Sequence, residues 1–220
     1  MIVWVDVETS GLDEKSGHLL EVAFVVTDDT LAERASTSIV VKPVGVDVEA
    51  MGMPLVVREM HEKSGLLADI PKIGVCRHEA EGQLTSWLGQ TFGRLEDLRS
   101  IALAGSTVSF DRRWLRAHME KLEALFSYRS IDVSCLTELA SRFSTAVYAH
   151  RPKKEKGVKH RALEDVRESI NYLRYYLASG FVNAEGIGFL QRAQFHCDYF
   201  NNNCPFSECD QCTVRTHEAS

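Results

Sequence analysis

Four carboxylates and one histidine in this chain have the types and spacing of a hydrolytic metal site. Asp6 and Glu8 lie two residues apart among alternating β-forming residues, so their side chains point to the same face of a strand. Asp111 follows a glycine-containing turn, and His160 and Asp165 stand five apart at the start of a helical pattern. Because strand ends and helix starts can converge, we predict that these residues share one cleft.

The chemistry of such a cluster follows from its charge. Carboxylates gathered in one place repel each other unless a divalent cation lies between them. Their hard oxygen atoms suit Mg²⁺ or Mn²⁺. Two such ions, about 3.5–4 Å apart, can activate a water and stabilise the leaving oxygen of a phosphodiester. A histidine, with an ordinary pKa of about 6.5, can take the proton from that water, and His160 is the candidate here.

Each of these residues also has a simpler interpretation. Asp6 alone could end a strand in a turn, and Glu8 could be a solvated side chain. Asp111 could be a helix N-cap. Asp165 could belong to a solvated helix face, and His160 to a loop. The functional interpretation is favoured because the five positions can converge.

The order of the predicted elements indicates the fold class. Three early strands with short connections predict an antiparallel meander, and they fall at residues 2–7, 18–27 and 37–41. Helical patterns follow at about 55–63 and 78–90. Later, short strands at 101–104 and 130–132 alternate with helices at about 111–121, 133–143 and 161–178. Strands first and strand–helix alternation afterwards predict an α/β sandwich around a mixed sheet.

Composition limits the classes of protein that fit. The chain has 220 residues, of which 45% are hydrophobic, which favours one globular domain with an extension. No apolar run reaches membrane-spanning length, and no secretory signal precedes the first strand, so we expect a cytoplasmic protein. The net charge of −6 argues against a bulk electrostatic grip on long nucleic acid.

Three motifs resemble those of the DEDD exonuclease superfamily. They are Asp6-x-Glu8-Thr-x-Gly-Leu, then Phe110-Asp111, then His160-x4-Asp165, whose spacing is that of the histidine-bearing branch. The resemblance implies a ribonuclease H-like α/β fold, with a mixed sheet flanked by helices. It also implies that the four carboxylates bind two divalent cations, Mg²⁺ or Mn²⁺, and that His160 is the general base.

Further segments resemble oligoribonucleases. They are His61-Glu-Lys-Ser64-Gly-Leu, the Asp-Arg-Arg-Trp-Leu run from Asp111, the Tyr128–Ser134 stretch and the segment from His160 to Ser169. The resemblance covers about residues 1–178. It implies a 3′-to-5′ exoribonuclease that degrades short single-stranded RNA, dinucleotides best of all, to nucleoside monophosphates, and that forms a homodimer.

The same resemblance implies the substrate-binding residues. Arg129, Ser134 and Thr107 match a cap that recognises the 5′ phosphate of the substrate. Tyr128 matches a tyrosine that reaches into the partner subunit's site, and Leu12 a leucine that wedges against the bases. The motif also brings in His61 and Ser64 as substrate-binding positions. Two simpler interpretations stay open, namely that Arg129 pairs with a surface carboxylate and that Leu12 belongs to the core.

Two departures from the family pattern keep other functions open. Glu8-Thr-Ser-Gly-Leu is nearer to the proofreading exonucleases, and Val56 occupies the position of a tryptophan that stacks on a base. Base stacking contributes about 1–3 kcal/mol per base. The second hypothesis is therefore a proofreading or trimming 3′–5′ exonuclease acting on longer single-stranded DNA or RNA. A third, a binding module with this fold, is disfavoured because all four carboxylates and the histidine are present.

A basic segment precedes the last helix. It contains Arg151, Lys153, Lys154, Lys156, Lys159 and Arg161, opposed by Glu155 alone. This segment is either a solvated loop or a phosphate-attracting lip beside the metal site.

The predicted exonuclease domain covers residues 1–180, and a Cys/His-rich extension covers residues 181–220. Cys209-x2-Cys212 is a common half of a structural zinc site, which Cys197 and Cys204 could complete. The alternative is a tail of free thiols. Cys76 and Cys135 are predicted to be buried core thiols.

Overall fold

The first strand, β1 (Ile2–Thr9), lies at the middle of a mixed sheet. The computed structural model describes residues 1–153 and 160–182. The other strands are β2 (Leu19–Thr27), β3 (Glu33–Val40), β4 (Leu103–Gly105) and β5 (Ser130–Asp132), in the sheet order β3-β2-β1-β4-β5. β1 pairs antiparallel with β2, and β2 with β3, whereas β4 and β5 continue the sheet in parallel. The predicted meander and mixed α/β sheet are therefore confirmed.

Helices cover the sheet and connect its strands. They are α1 (Leu55–Ser64), α2 (Leu66–Ile73), α3 (Arg77–Phe92), α4 (Val108–His118), α5 (Glu120–Glu123), α6 (Val133–Phe143), α7 (Thr145–His150) and α8 (Ala162–Ala178). Short 3-10 turns occur at Val48–Ala50 and Leu95–Ser100. Among the described helices, none has both the length and the apolar character needed to cross a membrane.

The alternation of β1 separates core residues from site residues. Val3, Val5 and Val7 pack in a hydrophobic core with side chains of α3 and α4. Because successive strand side chains point to opposite faces, Asp6 and Glu8 point to the other face. The alternation that places the three valines in the core therefore places both carboxylates together on the opposite face of the strand.

A buried ion pair joins the start of α8 to the sheet. Glu21 on β2 is 2% exposed, and both its oxygens accept hydrogen bonds from the Arg161 guanidinium, with Nε 3.0 Å from Oε2. The same carboxylate accepts from the backbone N–H of Ala162 at 3.2 Å. Arg161 also donates to Asp69 of α2 at 2.9 Å. These bonds fix where α8 begins, because they bind both its flanking residue and its first amide.

Gly105 allows the second half of the sheet to approach β1 closely. A Cβ atom at this position would lie 2.8 Å from the carbonyl oxygen of Val5, closer than real Cβ contacts. The turn after Gly105 leads directly into α4. The glycine therefore sets the position of the helix that carries Asp111.

Several sequence predictions were wrong in detail. α2 was not predicted; it contains Pro71 and is separated from α1 by Gly65, whose φ of 82° is in the left-handed region. α7 was also missed. Cys76 and Cys135 are exposed rather than buried, because Cys76 precedes the first turn of α3 and Cys135 lies on an outer face of α6.

The described chain has one main compact unit, Met1–Tyr176. A second unit begins at Leu177, and of it the structure describes residues 177–182. The four tail cysteines of the zinc hypothesis, Cys197, Cys204, Cys209 and Cys212, lie outside the described residues.

We expect Glu21→Gln to lower the free energy of unfolding by about 3 kcal/mol, because it leaves the Arg161 guanidinium without its buried counter-charge. The control is Glu33→Gln, which breaks a half-exposed pair between β3 and Arg167 of the same helix and should cost about 0–1 kcal/mol. Urea denaturation of both variants measures the difference. Equal losses would show that the buried pair has no special part in holding α8.

Candidate active site

Three carboxylates from two separate elements meet at the end of β1. Asp6 and Glu8 come from the strand, and Asp165 comes from the first turn of α8. One ligand oxygen of each lies within 4.8 Å of those of the other two. Glu8 is 6% exposed, whereas Asp6 and Asp165 are half-buried. The cluster is thus only partly exposed to solvent.

A cavity of about 310 Å³ contains the predicted catalytic set. Besides the three clustered carboxylates, Asp111 and His160 line it. Its other lining residues are Val7, Leu12, Ser106, Thr107 and Phe110. The structure therefore brings together all five residues predicted for the metal and base positions.

Asp111 occupies the wall of this cavity. It lies in the first turn of α4 and not at the N-cap, which is Thr107. Its Oδ1 accepts a hydrogen bond of 2.9 Å from the backbone N–H of Val7, so the helix and β1 are joined at the site. Burial raises the pKa of Asp111 to about 7, and the negative charge of Asp132 adds to the rise. Without a cation, this carboxyl therefore holds a proton to near-neutral pH.

His160 stands at the edge of the cleft, before the first residue of α8. Its Nδ1 lies 3.7 Å from Oδ2 of Asp165, and its side chain is 43% exposed. The contact orients the ring beside the acidic cluster while leaving it accessible from the cavity. This is the placement that a base acting on water needs.

His61 and Ser64, predicted to bind substrate, are instead buried and do not line the cavity. Nε2 of His61 donates to the carbonyl oxygen of Thr9 at 2.9 Å, since a carbonyl can only accept. Its Nδ1 faces Oε2 of Glu8 at 3.9 Å. Burial is the main cause of the lowered pKa of His61. Ser64 donates to the His61 carbonyl at 3.1 Å, so the pair supports the strand end that carries Glu8.

Two of the three residues predicted to cap the substrate's 5′ phosphate, Thr107 and Ser134, are linked through Asp132. The Asp132 side chain accepts from the Thr107 backbone N–H at 2.9 Å and from the Ser134 hydroxyl at 2.6 Å. Thr107 is held at a φ of 56°, in the left-handed region. Both residues therefore lie at the junction of β4, α4 and α6, and Thr107 also lines the cavity.

Arg129 and Tyr128 are exposed on the segment before β5. Tyr128 is 85% exposed, and the Arg129 guanidinium carbon lies 5.5 Å from the centre of its ring. Among residues 1–153 and 160–182, no carboxylate forms an ion pair with Arg129, so the surface-pair interpretation was wrong for this part of the chain. Arg112 supports the segment, because its guanidinium donates to the Arg129 carbonyl at 2.9 Å and to the buried Glu123.

Leu12 projects from the loop between β1 and β2. It is 80% exposed, so the core interpretation was wrong. The loop is held at its base by Ser10, whose hydroxyl accepts from the His18 N–H at 2.8 Å. At Gly17, a Cβ atom would meet the Trp114 ring at 2.6 Å. The loop therefore packs closely on α4 while presenting Leu12 to the cavity.

Two arginines of the basic segment before α8 are engaged by other side chains. Arg161 is committed to Glu21 and Asp69, and the Arg151 guanidinium stacks 3.7 Å from the centre of the Tyr148 ring. Neither arginine is a loose phosphate-attracting charge in this structure. Residues 154–159 lie outside the described part of the chain.

Sequence reasoning missed residues that position the site rather than line it. Glu21 could have been identified as a positioning residue, because it is a charged residue within a strand that is buried over its whole length. Ser169 of α8 donates to the Ser106 hydroxyl at 2.9 Å and so ties α8 to the turn before α4. Asp132 and Arg112 gave no such signal, since polar residues at strand ends and in helices are ordinary.

The donor set of the cavity fits a divalent cation. Three clustered carboxylates offer hard oxygen ligands and no sulfur, as Mg²⁺ and Mn²⁺ prefer. Burial is the main cause of the raised pKa of Asp111, and a nearby cation would favour its charged form.

Comparison with known proteins identifies relatives over most of the chain. The oligoribonuclease of Leifsonia xyli subsp. xyli is 40% identical over 187 residues, which cover 84% of this chain and 86% of that protein. The oligoribonuclease of Streptomyces coelicolor is 39% identical over 186 residues, covering 84% and 89%. The model of the RNase_T exonuclease family matches residues 87–173.

Solved structures share the fold. Exonuclease I from Methylocaldum szegediense matches with a TM-score of 0.59 at 15% identity, over 89% of this chain and 43% of that one. The zinc-bound complex of Escherichia coli exonuclease I with single-stranded DNA matches with a TM-score of 0.62 at 11% identity, over 89% and 43%. This chain thus spans less than half the length of those exonucleases, and the likeness is one of fold.

The metal-free protein should lose stability as the pH rises from about 4 to about 7, because folded Asp111 keeps a proton that the unfolded chain releases near its ordinary pKa of 3.8. Asp111→Asn keeps an acceptor for the Val7 N–H but has no proton to release. Melting temperatures in EDTA should therefore fall less steeply with pH for the variant. Parallel curves for the two proteins would contradict the raised pKa.

Proposed function

Because this chain belongs to the oligoribonuclease family of exonucleases, we propose that it is a 3′-to-5′ exoribonuclease that degrades short oligoribonucleotides to nucleoside monophosphates. Family membership confirms the predicted relation to the DEDD exonucleases, and the sheet confirms the predicted fold class. The observation that carries the proposed activity is the meeting of Asp6, Glu8 and Asp165 in one cavity, beside His160.

The proposed metal ligands are the four carboxylates of the cavity. Asp6, Glu8 and Asp165 would hold the cations, and Asp111 would complete the set from the opposite wall. Two divalent cations bound there, Mg²⁺ or Mn²⁺, supply water activation and charge stabilisation at the phosphodiester. On binding, they would displace the proton of Asp111, since a nearby positive charge favours the carboxylate.

His160 is the proposed general base. Its Nδ1 faces Asp165, which holds the ring, and Nε2 takes a proton from the attacking water. The water oxygen forms a bond to the phosphorus of the last phosphodiester at the 3′ end while the bond from that phosphorus to the preceding 3′ oxygen breaks, and the leaving oxygen takes a proton from solvent. The products are a nucleoside 5′-monophosphate and an RNA one nucleotide shorter with a 3′ hydroxyl.

A preference for very short RNA follows from recognition at both ends of the substrate. Leu12 lies at the cavity, and Thr107, Ser134 and Arg129 are the proposed contacts of the 5′ phosphate. Arg129 supports this role because it is exposed and its backbone is fixed by Arg112. A cap at a fixed distance from the metals selects substrates of matching length.

The proposed oligomer is a homodimer in which Tyr128 contributes to the partner subunit's site. Its exposed ring supports this, since a large aromatic side chain that is 85% exposed is a common interface residue. A structural zinc ion held by Cys197, Cys204, Cys209 and Cys212 stays a prediction, as does a cytoplasmic location.

The test of the function is a length series. Purified protein with Mn²⁺ and 5′-phosphorylated RNA of increasing length should degrade the dinucleotide fastest, with nucleoside monophosphates as products. His160→Ala should lower the rate by about 100-fold or more, because the base is lost. Glu164→Gln, a neighbour of Asp165 that pairs with Arg167 on the helix surface, should retain activity, whereas Asp165→Asn should not.

The same series tests the second hypothesis, a trimming exonuclease for longer single strands. The observation that favours it is Val56, which is 72% exposed where the family has a stacking tryptophan. Equal or faster degradation of long RNA or DNA, without dependence on a 5′ phosphate, would replace the proposed function by this one.

Arg129→Gln should remove the preference for a 5′ phosphate, because a hydrogen bond to a charged group contributes about 1.5–3 kcal/mol. The ratio of kcat/KM for 5′-phosphorylated and 5′-hydroxyl dinucleotides should therefore fall by about 10- to 100-fold. Arg142→Gln, which neutralises an exposed arginine paired with Glu138 on α6, is the matched control. An unchanged ratio in Arg129→Gln would show that Arg129 does not bind the 5′ phosphate of the substrate.

A further inference from the structure

A second cavity, of about 350 Å³, lies between the start of β2, the end of β3, the start of α3 and the end of α4. It is separate from the proposed active site, because the two cavities have no lining residue in common. Five of its lining residues carry basic side chains: His18, Lys42, Arg77, His78 and His118. We call these five residues the basic pocket.

No acidic side chain balances this group among the described residues that line the cavity. The nearby acidic side chains are engaged elsewhere, since Glu14 pairs with Arg113 at 2.9 Å and Glu79 accepts from Gln83 at 3.1 Å. Within the described chain, Lys42 and Arg77 have no carboxylate partner. Lys42 and Arg77 are exposed at the cavity, so their positive charges are available to attract an anion.

His118 shows how closely the charges converge. Burial lowers the pKa of its ring, the positive charges of Arg77 and His18 lower it further, and the hydrogen bond to the Glu14 carbonyl and the negative charge of Glu14 oppose this shift. The ring is also fixed, because Nε2 donates to the Glu14 carbonyl at 2.9 Å and the ring stacks on Trp114 with centres 5.1 Å apart. The ring therefore forms a fixed wall of the cavity, while Lys42 and Arg77 supply its donors.

Backbone N–H groups at the start of α3 lie at the same cavity. α3 is 16 residues long and begins at Arg77, and its N-cap residue, Cys76, makes no side-chain hydrogen bond to the first turn. The leading amides of a helix carry partial positive charge and lack intrahelical acceptors. The fixed dipole thus adds to the side-chain charges, and both favour the same kind of ligand.

We propose that the basic pocket binds a phosphate group outside the catalytic cleft. A cavity of about 350 Å³ has room for a phosphate and part of a nucleotide, and lysine, arginine and helix amides are the usual donors to phosphate oxygens. The phosphate has two possible sources, a free nucleotide or the backbone of an RNA longer than a dinucleotide. The inference goes beyond the proposed function and does not depend on it.

The binding test uses metal-free protein in EDTA, with Arg129→Gln as the background so that the proposed 5′-phosphate cap does not contribute. Inorganic phosphate and adenosine 5′-monophosphate are titrated by calorimetry. Adding Lys42→Gln and Arg77→Gln should weaken binding at least tenfold. The matched control adds Arg94→Gln and Arg99→Gln, which remove the same charge from exposed residues outside both cavities, and it should bind normally. Equal binding by the two variants, or none by the background protein, would overturn the proposal.

Hydrolysis rates with Mn²⁺ distinguish the two sources of the phosphate. These rates are measured without the Arg129→Gln substitution. If the pocket holds RNA, the Lys42→Gln and Arg77→Gln variant should degrade a heptanucleotide at least threefold more slowly and a dinucleotide at the normal rate. If the pocket holds a free nucleotide, both rates should be unchanged although calorimetric binding is lost. Failure of the wild type to degrade any RNA would refute the proposed function and leave the calorimetric result for the pocket intact.

Discussion

The hydrogen-bonded pair of Glu21 and Arg161 is the contact on which the assembly of the site depends. Two of the clustered carboxylates are on β1, but Asp165 lies on α8, far along the chain, and His160 lies just before that helix. Glu21 pairs across the sheet with Glu8, so the position that anchors Arg161 is adjacent to the site itself. Burying a charge pair adds little net stability, because desolvation offsets the attraction. The pair matters for geometry, because it fixes the place on the sheet at which α8 begins.

The opposite wall of the cleft is fixed by shorter-range contacts. Asp111 binds the backbone of β1 beyond the last residue that pairs with β4, so a side chain continues the pattern of backbone hydrogen bonds. The hydroxyl contact between Ser169 and Ser106 then joins the two walls. The residues that touch the reacting atoms are few, whereas those that hold them come from all five strands of the sheet, since Ser38 of β3 donates to Glu21 at 2.7 Å, and from α1, α2, α4 and α8. A site of this kind tolerates little error in the fold.

Local patterns explain what could be predicted from the sequence. The strands, α6 and α8 follow from hydrophobic periodicity, and Asp6 and Glu8 share a face because strand side chains alternate. The pairing of Arg161 with Glu21 could not be predicted, since the two are 140 residues apart in the sequence and their contact depends on the folded sheet. His61 was misplaced for a related reason: its motif indicates a place near the site, but only packing decides whether the ring faces the substrate or the strand. The exposed Cys76 and Cys135 show the same limit, because a thiol suits either environment.

Gly105 illustrates how a residue with no chemistry can be as constrained as a metal ligand. The space for a Cβ atom is already filled by the Val5 carbonyl, so every other amino acid would push β4 from β1 and move α4 with it. A mutational screen that scores activity would rank this glycine with the carboxylates. Intolerance to substitution in such a fold therefore identifies the close contacts of the backbone together with the catalytic groups, and the two are separated by measuring folding beside turnover.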